Sequence, residues 1–274
     1  MDAFYRLAAI DYRLLVEQLD WGEVFYQLRR RFGPRIRLLD VACGSGQFPS
    51  ALLGNRGLQK CEDLKVQYSL LDPAEFSIRT ARQRLADPFE LDEEYLCTVQ
   101  DFVAPVLNYA VVWATHALYC VPQRELSLAM DRLLAALDST GLGFIAHASR
   151  HSHYLRFQNL YLESALSGRA EPFSTGECII ETLQAKLDTS AVICWSADYE
   201  GTLDLEERET AERYLQRCLF DDSIALDDML AHPRLGEYLR SCIDRASGMW
   251  RFPQRVWLIF FGDFAKRAPF ERHA

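Results

Sequence analysis

The sequence predicts an α/β protein built on a doubly wound, mostly parallel sheet, with an N-terminal helical lid and a helical insertion before the last strand. Three observations carry this. Short apolar, β-branched runs alternate with helical patterns between residues 35 and 148. The first run, "LLDVA", leads directly into "CGSGQF", an acid followed by two glycines one residue apart. A last apolar run, "RVWLIFFGD" (255–263), stands far from the others and needs a sheet to join.

Residues 2–19 set apolar positions among Arg6, Asp11, Arg13 and Glu17, which suits an amphipathic helix. A second helix follows over 22–32, and its terminal Arg29, Arg30 and Arg31 complement the helix dipole before Gly33-Pro34. Five runs then read as buried strands: 36–42, 66–72, 95–101, 109–115 and 141–148. Helical patterns separate them at 46–53, 74–85 and 122–137, the last opening on a proline suited to a first turn. Beyond residue 148 the pattern gives helices at 150–167 and 175–187, a strand at 191–201, helices at 205–218 and 234–246, and the final strand. The expected organisation is one domain: helices over 1–34, a binding core over 35–148, a helical insertion with one strand over 149–250, and the last strand and tail over 251–274.

Composition narrows the function classes. With 274 residues and 49% hydrophobic content, the chain can bury a large core without staples. The 30 basic residues are outnumbered by 39 acidic ones and form no dense block, which argues against nucleic acid or an anionic membrane as partner. Eight cysteines without a C-x-x-C pair point to free thiols in a reducing compartment, and the expected location is the cytoplasm. No uncharged stretch is long enough to span a bilayer.

A parallel sheet binds ligands beyond the carboxyl ends of its strands, where the glycine loop sits. Gly44 and Gly46 remove the β-carbons that would block a ligand lying against the turn. A dinucleotide fingerprint fails, because Pro49 stands where glycine or alanine is needed, and no G-K-[ST] marks a phosphate loop. Asp40 disfavours a pyrophosphate and suits a ligand bearing an ammonium group. Asp72, ending the second strand, can accept bonds from both hydroxyls of a ribose.

An ammonium-bearing ribonucleoside without phosphates is S-adenosylmethionine, and here the chain resembles the class I S-adenosylmethionine-dependent methyltransferases. "LLDVACGSG" is similar to their first motif, "LLDP" to their ribose-binding strand end, and "VQDF" to the acid-plus-apolar pair beside the adenine. The resemblance implies that Asp40, Ala42, Gly44 and Gly46 line the methionine side. It gives Asp72 and Pro73 to the ribose and Asp101 and Phe102 to the adenine, with Ser45 and Ala114 also on the cofactor. S-adenosylhomocysteine would be the product. The order of elements and the stretch "WATHALYCVPQ" (113–123) further resemble the histamine N-methyltransferase-like group of small-molecule enzymes. Where that group carries an amide before its "LY", this chain has His116, and the helix after strand five lacks that group's tryptophans.

On the acceptor side, His116 follows the fourth strand, where an imidazole could orient the methyl acceptor or take its proton; Tyr119 shares its face, and the two are the candidate catalytic pair. Backbone bonding by His116 and packing by Tyr119 are the alternatives. Tyr154 and Phe157, with His151 just before them, form a candidate pocket wall, and Tyr5 and Tyr12 a lid; each aromatic could equally be core. "HASRHSH" places His147, His151 and His153 close together, but the first belongs to a strand and the second to a helix start, so no metal site is expected. The expected activity is methyl transfer to a nitrogen or oxygen of a small metabolite, with N-methylation of an amine favoured. A nicotinamide-dependent oxidoreductase and a non-catalytic cofactor-binding subunit are the alternatives.

Overall fold

The computed structural model describes residues 11–55, 57–58, 61, 63–164 and 171–266. Residues 11–16 are helical, and Leu15, Val16 and Leu19 are buried in the main core. Helix α1 (Trp21–Phe32) starts where the Asp20 carboxylate accepts the Glu23 N–H at 3.0 Å, and it ends on three arginines and Gly33 at φ 86°.

The sheet then builds outwards. Strand β1 (Arg35–Val41) leads to α2 (Gln47–Leu53), β2 (Lys65–Leu71) to α3 (Glu75–Arg84), and β3 (Phe89–Tyr95) to β4 (Tyr109–Thr115). Helix α4 (Leu126–Ala136) connects β4 to β5 (Leu137–Ala148). Strands β1 to β5 are parallel neighbours in the order β3-β2-β1-β4-β5. Every residue of β4 is buried, as a central strand covered on both faces requires. Past β5 come α5 (His153–Leu162), α6 (Gly176–Gln184), β6 (Val192–Asp204), α7 (Arg208–Leu219), α8 (Leu226–Ala231), α9 (Pro233–Ser241), the short β7 (Ile243–Asp244) and β8 (Met249–Phe261). Strand β8 inserts antiparallel between β5 and β6, so the late helices form the expected insertion ahead of the last strand. They close a second core around Phe157, Leu215, Leu239 and Phe252.

One strand moves. The third was expected at 95–101, but β3 is "FELDEEY" (89–95), and the segment after it is loop and turn. The reason is its position at the sheet edge: only Phe89 is fully buried, so the strand needs no apolar run and carries four acids instead. Smaller shifts have similar causes. Strand β8 begins at Met249 because its first half pairs with β6 and β7 beyond the parallel sheet, and α9 ends at Ser241 to release β7. Helix α8 was not anticipated at all; six residues are too short to show a period.

Candidate functional site

The loops after β1, β2 and β4 open on one edge of the sheet, and between them lies a cavity of about 300 Å³. The β1 loop contributes Ala42, Gly44 and Ser45, the β2 end Asp72, and the β4 loop His116 and Tyr119. Ala42, His116 and Phe220, all lining the cavity, hold positive φ of 51°, 52° and 52° without being glycine. Such backbone is sparsely populated and concentrates where a ligand is shaped.

The two glycines do different work. Gly44 has φ 53°, and a β-carbon there would meet nothing within 4 Å, so the space beside it is open to a ligand. Gly46, at φ 72°, would place a β-carbon 3.0 Å from the Ala81 Cα, so its role is to let α2 and α3 pack. Gly46→Ala is therefore expected to cost about 1–3 kcal/mol of stability by overpacking and αL strain. Gly44→Val should cost less stability and instead abolish ligand binding. Differential scanning fluorimetry with and without S-adenosylhomocysteine checks both, and equal binding by wild type and Gly44→Val would remove the loop from the site.

Asp72 fixes this corner. Its carboxylate accepts the Gly44 N–H at 3.0 Å and the Ala74 N–H at 2.9 Å, one on each oxygen, which leaves further lone pairs facing the cavity. Asp40 lies beneath it, 2% exposed, with the Tyr68 hydroxyl donating to it at 2.7 Å. Burial raises its pKa to about 7 against that hydrogen bond.

The His116 imidazole is set by a relay. The Ala148 N–H donates to the Tyr119 hydroxyl oxygen at 3.2 Å, and that hydroxyl stands 2.8 Å from His116 Nδ1. The phenol donates its one proton to Nδ1 within the relay, which leaves the single N–H of the neutral imidazole on Nε2. Nε2 is buried and has no hydrogen-bond partner among the described residues. Burial also lowers the His116 pKa to about 4, so the ring is neutral at pH 7 and offers an N–H donor. Tyr12 packs edge-on to it at 5.5 Å and donates its hydroxyl to the Thr115 carbonyl at 3.2 Å.

The far wall comes from segments distant in sequence. Tyr154 on α5, Tyr199 on β6 and Tyr214 on α7 line it, with Asp11 from the first helical residues. Tyr154 meets Tyr119 edge-on at 4.7 Å. Nothing in the sequence singled out Asp11, Tyr199 or Tyr214.

Other expected site residues lie elsewhere. Asp40, Gly46 and Pro73 flank the cavity without lining it. Ala114 is fully buried in β4, and Phe157 is core, stacked on His153 at 5.5 Å. Phe102 is buried against Tyr95 at 4.9 Å, while Asp101 is exposed and bonded to the Thr98 hydroxyl at 2.7 Å. With β3 ending at Tyr95, "VQDF" is loop. His151 is exposed, and Tyr5 lies outside the described residues. His147 Nε2 pairs with the Ser174 carbonyl and His153 Nδ1 with the Tyr238 hydroxyl, each at 2.9 Å. Among the described residues no cluster of histidine, cysteine or acid could hold a metal, and no helix is long and apolar enough to cross a membrane.

No protein-family model matches the sequence, and no curated protein is similar to it. Solved structures do match. A protein of Bacillus halodurans C-125 described as a methyltransferase superposes with TM-score 0.55 at 11% identity, over 87% of this chain and 98% of its own. This is a Rossmann-like methyltransferase fold. The YcgJ protein of Bacillus subtilis is similar at TM-score 0.51 and 10% identity, over 83% of this chain and 91% of that one. The plantazolicin methyltransferase BpumL, solved with S-adenosylhomocysteine, is more distant at TM-score 0.47 and 14% identity, over 94% and 87% of the two chains.

Proposed function

We propose that this chain is a methyltransferase that uses S-adenosylmethionine to methylate a nitrogen of a small amine, as the histamine N-methyltransferase-like resemblance also implies. The observation that carries the reading is the pairing of Gly44 and Asp72: an open left-handed turn bonded to a carboxylate whose remaining lone pairs face the same cavity. The residues fit the cofactor at its methionine and ribose ends. When bound, it supplies an electrophilic methyl group on a sulfonium. Asp72 would accept from the ribose hydroxyls, and Gly44 would let the ligand lie against the backbone.

The protein's own part in the chemistry is alignment and exclusion of water, which can lower a barrier by roughly 7–11 kcal/mol in favourable cases. His116 presents Nε2–H rather than a lone pair, so it orients an acceptor atom and takes no proton. Of the two roles open to it in the sequence, the relay supports the first. Incubation with methyl-labelled S-adenosylmethionine and a panel of small amines and alcohols, read by mass spectrometry, should give a labelled methylamine product. Absence of product from every compound, together with absence of cofactor binding, would refute the reading. His116→Asn should raise KM and leave the pH profile unchanged in shape; loss of the acidic limb with a kcat drop of about 10²–10⁴ would restore the base role.

A further inference from the structure

Asp11 is an acidic residue that lines the cavity. Among the described residues, no group donates a hydrogen bond to it and no lysine, arginine or histidine offsets its burial. The groups within electrostatic reach of it are Tyr119 after β4, Tyr199 on β6, and Tyr214 with Cys218 on α7, and its charge makes each of them harder to ionise. Tyr12 and Tyr154 complete the ring of phenols around the cavity. Among the described residues, the buried Tyr199 hydroxyl has no hydrogen-bond partner, and neither does His116 Nε2. Arg217, the cation that lines the cavity, is exposed and sits over the Phe220 ring at 5.5 Å, at the rim.

A half-buried acid beside a wall of aromatic rings, with no partner among the described residues, is a poor site for an anion, and a neutral molecule would displace water from the carboxylate without compensating its charge. A cation removes that penalty and gains attraction from the ring faces. We infer that the methyl acceptor is a small amine that binds as its cation, the ammonium held by the Asp11 carboxylate among Tyr12, Tyr119, Tyr199 and Tyr214; Asp11 takes one ammonium proton, and the freed nitrogen lone pair then forms the N–C bond as the methyl–sulfur bond breaks and S-adenosylhomocysteine leaves. This rests on the methyltransferase reading and assigns the substrate class of the same site. Because burial lifts the Asp11 pKa to about 7, binding of the cation should weaken as pH falls through neutrality and Asp11 takes up a proton.

The test uses benzylamine, benzyl alcohol and benzoate, which share a skeleton and differ in charge, titrated by calorimetry into the full chain saturated with S-adenosylhomocysteine. Benzylamine should bind at least tenfold more tightly than the other two at pH 8, and Asp11→Asn should abolish that preference. Equal affinities, tighter binding of benzoate, or no binding of any probe at millimolar concentration would overturn the inference. So would a loss of S-adenosylhomocysteine affinity in Asp11→Asn as large as its loss of benzylamine affinity, since Asp11 would then face the cofactor's own ammonium. Saturation with S-adenosylhomocysteine is the control: if wild type does not bind it, the methyltransferase reading itself fails.

Discussion

Asp72→Ala is expected to weaken S-adenosylhomocysteine binding at least tenfold and to lower the Tm as well. Both effects follow from one carboxylate doing two jobs. Its oxygens hold the Gly44 and Ala74 N–H groups at 3.0 and 2.9 Å, which shapes the β1 loop, and its free lone pairs face the cavity. Hydrogen bonds to a charged acceptor are worth about 1.5–3 kcal/mol, or roughly one to two powers of ten in affinity. Removing the acceptor also leaves two backbone donors without partners, at about 1–3 kcal/mol each if water does not reach them. Asp72→Asn, which keeps one acceptor oxygen, should fall between wild type and Ala in both readouts. Calorimetry paired with thermal melting separates the jobs: a lowered Tm with unchanged affinity would leave Asp72 a purely structural residue.

Asp11→Asn should stabilise the ligand-free protein, and by more at pH 8.5 than at pH 5.5. Burial raises the Asp11 pKa from 3.8 to about 7 in the folded protein. The folded chain then binds this proton more tightly than the unfolded chain does. Stability from this group is complete below pH 3.8, declines as pH rises, and is fully lost above about 7. A proton affinity raised by that much corresponds to at most about 4 kcal/mol, which water in the cavity reduces. The clean readout is the Tm difference between variant and wild type against pH, because Asp40, also raised to about 7, is common to both proteins and cancels. A difference that is flat with pH, or shrinks as pH rises, would show that Asp11 is not held at a cost in the folded state. A gain would mark a residue kept for binding rather than for folding.

How far the site could be read in advance depended on locality. The glycine loop, Asp72, His116 and Tyr119 each stand at the end of a strand whose apolar run is visible, so a parallel sheet brings them to one edge. Strand β3 hid because an edge strand with one buried face position can be mostly acid, so the apolar run expected at 95–101 is loop and turn instead. Asp11 looked like any polar position of an amphipathic helix. Tyr199 and Tyr214 reach the cavity only because β8 inserts between β5 and β6 and folds the late helices back over the sheet edge, a long-range arrangement with no local signature. Gly44 and Gly46 read alike in sequence, and only the space around each separates a ligand contact from a helix contact.

The central claim is that the Gly44–Asp72 corner holds an adenosyl amino acid and not a dinucleotide. Isothermal titration of the full chain with S-adenosylhomocysteine, and separately with NADH, tests it most directly. One-to-one saturable binding of S-adenosylhomocysteine, weakened by Asp72→Ala, with no measurable binding of NADH, is the predicted result. Binding of NADH in its place, or S-adenosylhomocysteine affinity indifferent to Asp72→Ala, would contradict the account.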